Sequence, residues 1–507
     1  MSGRRDLVLA IDQGTTGTRA FVMDRTGTLL GSAYREFRQF FPRPGQVEHD
    51  PEEIWTSVLG TVEECLQAAG RPFERLAAVG ITNQRETTVV WDRSTGRALA
   101  PAIVWQDRRT SERCAELKRL GHEEEIRRRT GLVLDPYFSA TKLEWLLDRH
   151  PDWRDRARAG EIAFGTIDSW VVFRLTGGEV HATDHTNASR TMLYSLDDGD
   201  WDPWLCELFG VPRAMLPEIR PSAGDFGRTR SDLIGAEVPI AGVAGDQQAA
   251  LYGQGCWDEG EAKNTYGTGA FLLLNAGKTR GADVPGVLTT AACDRRGGRA
   301  FAYEGAVLVA GAAIQWLRDG LGLLEDAAES EAMARSVESS GGVYFVPALT
   351  GLGTPWWEPD VRGTIVGLSR GTGREHLVRA AVEAMAYSTG DVLSAMTRET
   401  DARLRSLRAD GGAARNDWLM QFQADVLGVP VRRPAATELT ALGAAGLAGL
   451  HTSVWSEPEE FLAARGEEAV FEPATDKSDS VNDGVQGWRR AVETAIHWAR
   501  IGDLEEA

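Results

Sequence analysis

The residues with chemical promise begin at a short polar turn, Asp12-Gln13-Gly14-Thr15-Thr16-Gly17, set between two β-prone runs, Leu7 to Ile11 and Thr18 to Met23. Glycine and threonine in such a turn present backbone N–H groups and two hydroxyls to one point, which suits phosphate oxygens. Arg19, across the hairpin, can add a charge-assisted hydrogen bond, and Asp12 at the strand end can hold a hydrated magnesium ion. The same residues also suit an ordinary glycine-rich hairpin with surface threonines. A second glycine turn, Gly267-Thr268-Gly269, interrupts the stretch Lys263 to Leu274 and offers Thr268 to the same phosphates.

Asp246 follows the apolar run Ile240 to Ala244 in a Gly-Asp-Gln-Gln context with no basic residue beside it. A carboxylate there can orient an alcohol and accept its proton during phosphoryl transfer, or it can simply cap a helix. Arg85 and Glu86 are adjacent and oppositely charged after an apolar strand pattern, so they can donate to one polyol oxygen and accept from its neighbour. As a solvated surface pair they would contribute only about 0–1 kcal/mol. Tyr137, Trp105 and Phe271 can wall in a carbon backbone or pack in a core. Further on, Asp410-Gly411-Gly412-Ala413-Ala414-Arg415-Asn416 separates the run Leu404 to Leu407 from a helical pattern over Trp418 to Leu427, closed by Gly428. That order can seat a planar or phosphorylated ligand on backbone N–H groups.

Three lookalikes fail on their surroundings. Gly277-Lys278-Thr279 lacks the first glycine of a P-loop, because Leu272 stands there. Gly367-Leu368-Ser369-Arg370-Gly371 spells a hydrolase nucleophile elbow, but Gly371-Thr372-Gly373 delays the helix that such an elbow needs. His181 and His185 have no glutamate to complete a zinc-protease motif.

Elements to position these residues are legible. Thr28 to Tyr34 follows the first hairpin as a third strand, and Asp50-Pro51-Glu52-Glu53 supplies a helix cap, a first-turn proline and a capping-box glutamate. Ile54, Val58, Val62 and Leu66 then recur every four residues up to Gly70, a core-facing helix. Leu76 to Thr82 and Thr87 to Trp91 resume strand patterning around Asn83 to Glu86. The strand ending in Gly245-Asp246-Gln247, with the strand-turn-strand after it, echoes the first hairpin and suggests two related lobes.

Bulk properties set the frame. A chain of 507 residues is too long for one core, and 42% hydrophobic with 25% charged residues is an ordinary globular balance. The formal net charge of -19 argues against nucleic acid and anionic membranes as partners. Five scattered cysteines with no Cys-x-x-Cys pair signal neither a disulfide framework nor a zinc site. Leu7 to Ile11 is too short for a signal peptide, and Ala441 to Leu450 is well under the roughly 20 residues of a membrane span. A cytoplasmic location is the expectation.

Taken in order along the chain, these blocks resemble the FGGY carbohydrate kinases over nearly the whole sequence. The blocks are Asp12-Gln13-Gly14-Thr15-Thr16, Ile81 to Thr88, Asp135-Pro136-Tyr137-Phe138, Asp184 to Met192, Gly245 to Ala250, Asn264 to Gly269 and Leu419 to Gln423. The Arg85-Glu86 block is similar to members that phosphorylate glycerol rather than ketopentoses. The resemblance implies an α/β fold of two actin-like ATPase, ribonuclease H-like lobes, residues 1–252 and 253–507, with ATP, Mg²⁺ and glycerol in the cleft between them. It implies Asp246 as catalytic base, and Arg85, Glu86, Tyr137 and Gln247 as glycerol ligands beside Trp105 and Phe271. It places Thr15, Thr16, Gly17, Arg19 and Thr268 at the phosphates, Gly311, Gln315, Gly412 and Asn416 at the nucleoside, and Asp12 with Asp246 at magnesium. A homodimer or homotetramer is also implied. Two features depart from the family pattern: Gly17 stands where a serine is common, and Arg228 to Val238 lacks the Gly-Gly-x-Arg pattern and the histidine used for regulation in some bacterial members.

Overall fold

The computed structural model describes residues 5–398, 403–436, 438–463, 466, 468–474 and 478–505. Two mixed sheets organise it. The first holds β1 (Leu7–Gln13), β2 (Gly17–Met23), β3 (Leu29–Glu36), β4 (Leu76–Asn83) and β5 (Ile240–Gly245) in the order β5-β4-β1-β2-β3. β1, β2 and β3 are antiparallel neighbours, whereas β4 and β5 run parallel to β1.

The second sheet holds β6 (Glu261–Tyr266), β7 (Ala270–Gly277), β8 (Leu288–Cys293), β9 (Arg299–Val307), β10 (Ser406–Gly411), β11 (Val431–Pro434) and β12 (Glu468–Phe471). Its order is β8-β9-β7-β6-β10-β11-β12. Within it, β9-β7-β6-β10-β11 repeats the directions of β3-β2-β1-β4-β5. The expected internal relationship is therefore present, but its register differs from the sequence reading. The strand before Asp246 is the last strand of the first sheet, not the first of the second. The counterpart of the β1–β2 hairpin is β6–β7, around Gly267-Thr268-Gly269.

Helices cover both sheets. α1 (Pro51–Ala68) starts as its sequence predicts: Asp50 accepts from the Glu52 N–H, and Gly70 beyond its end has φ +78°. Glu53 does not close a capping box. It binds Arg38 at 2.6 Å instead. Ile54, Val58, Val62 and Leu66 are buried against Leu9, Ile11, Val22 and Ile81 of the first sheet. Continuous apolar strands such as Leu7–Ile11 are what a sheet covered on both faces requires.

Later segments are α2 (Ser139–Arg149), α3 (Asp246–Gly253), α4 (Gly311–Asp319), α5 (Arg374–Arg398), α6 (Asp417–Leu427) and α7 (Leu439–His451). α5 buries Val378, Val382 and Met385 in the second core. α7 returns to the first sheet, where Leu442, Ala445 and Ala448 pack with Val8, Ala10 and Ala241. It also crosses α3 so closely that a Cβ on Gly253 would strike the Leu439 carbonyl, and one on Gly443 the Ala249 carbonyl. Only glycine lets the two backbones approach in this way. This helix pair joins the sheets and fixes where Asp246, the first residue of α3, can point.

Candidate active site

Arg85 and Glu86 lie just past the end of β4. Both are buried, 3% and 1% exposed, which removes the surface-pair alternative. Glu86 has φ +63°, a backbone region that non-glycine residues rarely enter and that commonly marks functional turns. Its carbonyl accepts from Ser139 Oγ at 2.7 Å, the first residue of α2, so the turn is anchored from outside its own segment.

The charges at this turn are compensated in detail. Arg85 donates to both oxygens of Glu304 at 2.6 and 3.0 Å, and its Nε stands 3.2 Å from Asp246 Oδ1. Arg190 donates through Nε to Glu86 at 2.7 Å and through Nη2 to Glu304 at 3.1 Å. Burial opposes the charge on Glu304, but Arg190 and Arg85 outweigh it and hold the carboxyl at about 2. Burial likewise opposes the charge on Arg85, and Glu304 and Glu86 keep it well above the ordinary value.

Asp246 opens α3 rather than capping it, since Gly245 occupies the cap position. Its Oδ1 accepts from the Gln247 N–H at 2.7 Å. Burial raises its carboxyl above the usual range, while Arg85, the Gln247 N–H and Lys263 pull the other way. A carboxylate about a third exposed (32%) and held in this balance can take a proton from an alcohol. Gln247 does not stand free, because the buried Lys263 donates to its side-chain oxygen.

Aromatic side chains flank the turn. Trp105 and Tyr137 meet edge to face with ring centroids 5.5 Å apart, and the Trp105 indole N–H donates to Thr15 Oγ1 at 3.0 Å. That bond ties the wall to the first glycine turn. Lys142, wholly buried, donates to the main-chain oxygens of Tyr137 at 2.9 Å and Trp105 at 3.4 Å. Burial brings its ammonium down to about 7. Phe271 is paired in register with Thr265 and Ala306. Alternation along the strands puts it on the same face as Lys263 and Glu304, which looks toward α3.

The phosphate and nucleoside candidates form a second group. Asp12 is next to last in β1, opposite Arg19, and its carboxyl is pushed up to about 7 by burial and then by Asp246, with Arg19 opposing. Its carboxylate accepts no hydrogen bond among the described residues. Two neighbouring carboxylates, one without a donor, match what magnesium asks of a protein: one or two acidic groups, with water and phosphate for the rest. Thr16 is exposed at the turn and Gly17 begins β2. Arg19 does not point alone at the turn, because Glu438, just before α7, accepts from it at 2.7 and 3.0 Å.

Thr268 is exposed, and its carbonyl accepts from the Ala310 and Ala312 N–H groups at the start of α4. A Cβ on Gly311 would crowd the Gly267 carbonyl, so this helix start fits against the turn only as glycine. Gln315 is exposed one turn further on. Gly412 is exposed after β10, and Asn416 caps α6 by accepting from the Leu419 N–H at 2.9 Å. The sequence-predicted residues thus fall into a charged group around Arg85 and Asp246, two glycine turns at corresponding strand ends with α4 beside the second, and the segment between β10 and α6. Glu304, Arg190, Lys142 and Lys263 were missed. A single glutamate in the otherwise apolar stretch Ala300 to Ala306 was the one available signal for Glu304.

His181 Nε2 lies 2.8 Å from the Phe164 carbonyl, and among the described residues no group of three or more His, Cys, Asp or Glu side chains is placed to hold a metal ion.

Residues 7–253 match the N-terminal domain, and residues 262–452 the C-terminal domain, of the FGGY family of carbohydrate kinases. The chain belongs to this FGGY family. Among its relatives, the glycerol kinase of Oceanobacillus iheyensis is 53% identical over 96% of this chain and 97% of its own, and that of Deinococcus radiodurans 52% identical over 97% and 98%. A crystal structure of Plasmodium falciparum glycerol kinase with ADP superposes with a TM-score of 0.91 at 35% identity, covering 97% of this chain and 99% of that one. The FGGY expectation of two actin-like lobes agrees with the paired sheets. Among the described residues no helix is long and apolar enough to cross a membrane.

Proposed function

We propose that this FGGY kinase transfers the γ-phosphoryl group of ATP to a terminal hydroxyl of glycerol, giving glycerol 3-phosphate and ADP. The observation that carries this reading is the buried Arg85-Glu86 turn, which sets a donor and an acceptor side by side, with Arg85 Nε 3.2 Å from the Asp246 carboxylate. Relatives of this chain at over 50% identity are glycerol kinases, which favours glycerol over other short polyols.

In this reading Arg85 and Glu86 bind adjacent hydroxyls, Tyr137, Trp105 and Phe271 cover the carbon chain, and Gln247 adds a polar contact. Asp246 accepts the proton as the hydroxyl oxygen attacks the γ-phosphorus in line with the departing ADP oxygen. Thr15, Thr16, Gly17, Arg19 and Thr268 hold phosphate oxygens, and Gly311, Gln315, Gly412 and Asn416 line the nucleoside. Asp12 and Asp246 would hold Mg²⁺, which when bound neutralises phosphate charge. Residues 1–252 then supply mainly the acceptor side and 253–507 mainly the nucleotide side, with α7 returning to the first sheet. Five free, buried thiols suit a reducing compartment, and we place the enzyme in the cytoplasm.

An ADP-release assay over glycerol, dihydroxyacetone, erythritol and xylulose tests the assignment. Glycerol should give the highest kcat/KM. Preference for the ketopentose would overturn it.

A further inference from the structure

The groups that hold the acceptor turn are themselves charged and come from distant parts of the chain. Arg85, Glu304, Arg190 and Glu86 alternate in sign around a closed ring, with contacts of 2.6, 3.1, 2.7 and 3.8 Å. All four are at most 3% exposed. Arg85 follows β4 of the first sheet, Arg190 follows the short helix His185–Ala188, and Glu304 sits on β9 of the second sheet. One face of the acceptor site is therefore fixed by a residue of the opposite lobe.

The geometry of Arg85 shows what this ring does. Glu304 engages both terminal nitrogens of the guanidinium and leaves only the Nε edge toward Asp246. Glu86 is already held by Arg190. We infer that Glu304, steadied by Arg190, is a positioning residue that aims Arg85 at the acceptor and limits its contact with Asp246 to the Nε edge. Without that bidentate partner, the partly exposed Asp246, already 3.2 Å from Nε, is the remaining carboxylate that can take the whole fork, and an Arg–carboxylate fork is among the strongest side-chain contacts. The base would be occupied and the acceptor's donor turned away by the same movement. Because Glu304 belongs to the second sheet, acceptor recognition also depends on how the two lobes meet.

This inference rests on the acceptor role proposed for Arg85. Glycerol turnover by the unaltered enzyme is measured first; its absence would remove that function, whereas the comparisons below concern an active enzyme. Glu304→Gln keeps the shape and removes the charge. It should raise the apparent KM for glycerol about 10-fold while KM for ATP stays within about twofold, the pattern of a lost acceptor contact. Glu304→Asp should recover part of the loss. In an Arg85→Ala background Glu304→Gln should change the glycerol KM by less than about twofold, because a residue acting through Arg85 has nothing left to position. An unchanged glycerol KM in Glu304→Gln, a parallel rise in both KM values, or an additive effect in the Arg85→Ala background would each overturn the inference. So would loss of the folded state in both Glu304 variants, read by thermal melting, since that would make Glu304 a folding residue only.

Discussion

The two sheets carry the same pair of residues at the same place with the strands exchanged. In the first, Asp12 stands two residues before Gly14 and is paired with Thr82 on β4. In the second, Thr265 stands two residues before Gly267 and is paired with Asp410 on β10. The two aspartates live differently. Asp410 accepts from Gln254 at 2.7 Å and from Thr265, beside the Lys263 ammonium. Asp12 has no hydrogen-bond donor among the described residues and faces the like charge of Asp246. A buried acid with partners is a structural pin, whereas one left without them, beside a second acid, is a place for a cation. Repetition of a fold thus supplied two similar positions, and the neighbours decided which acid is left without a donor among the described residues.

Changes on the two sides should therefore separate. The largest effect belongs to Asp246→Asn, for which kcat should fall by about 10²–10⁴ with KM for ATP little changed, the range for a lost positioned base. Steady-state kinetics checks this, and near-normal turnover would end the base assignment. Next, Asp12→Asn should lower kcat about 10²-fold and raise the Mg²⁺ concentration needed for half-maximal rate, because a negative charge that would hold the cation is gone. Asp410→Asn should leave kcat within about threefold but lower Tm by about 2–4 °C, as expected for a lost buried hydrogen bond of about 1 kcal/mol. A larger kcat loss in Asp410→Asn than in Asp12→Asn would reverse the comparison.

Smaller effects sharpen it. Thr15→Val removes the acceptor of the Trp105 indole bond along with a phosphate contact and should raise KM for both glycerol and ATP about threefold, while Thr268→Val should raise KM for ATP by a similar factor and spare glycerol. If Thr268→Val also raised KM for glycerol, the Trp105 bond would not be what distinguishes the two turns. The smallest change is expected from Glu438→Gln. The Arg19–Glu438 pair is largely exposed, so freeing Arg19 for phosphate should lower KM for ATP by no more than about twofold.

Local features were legible wherever they are written in adjacent residues. Asp50-Pro51 marked the start of α1, the apolar runs marked β1, β2 and β4, and Asp12, Arg85, Glu86 and Asp246 stood out by charge beside strand ends. The mistaken register, in which the strand before Asp246 seemed to open the second half, came from reading order along the chain as order in space. β5 is parallel to β4 and joins it from about 160 residues away, a pairing that periodicity cannot signal. Glu304 and Arg190 were missed for a related reason, since each has its partners more than 100 residues distant.

By itself the sequence determined that this chain has two strand–glycine-turn–strand units, an acidic surface and a set of polar residues at strand ends, because these depend on neighbouring residue types alone. Only the tertiary structure decided that Arg85 and Glu86 are a buried pair, that Asp246 begins α3 within reach of Arg85, and that Asp12 rather than Asp410 is left without a donor. The physical reason is that the cost of a charge, and so its use, is set by what surrounds it, and those surroundings are assembled from both sheets and the helices that join them.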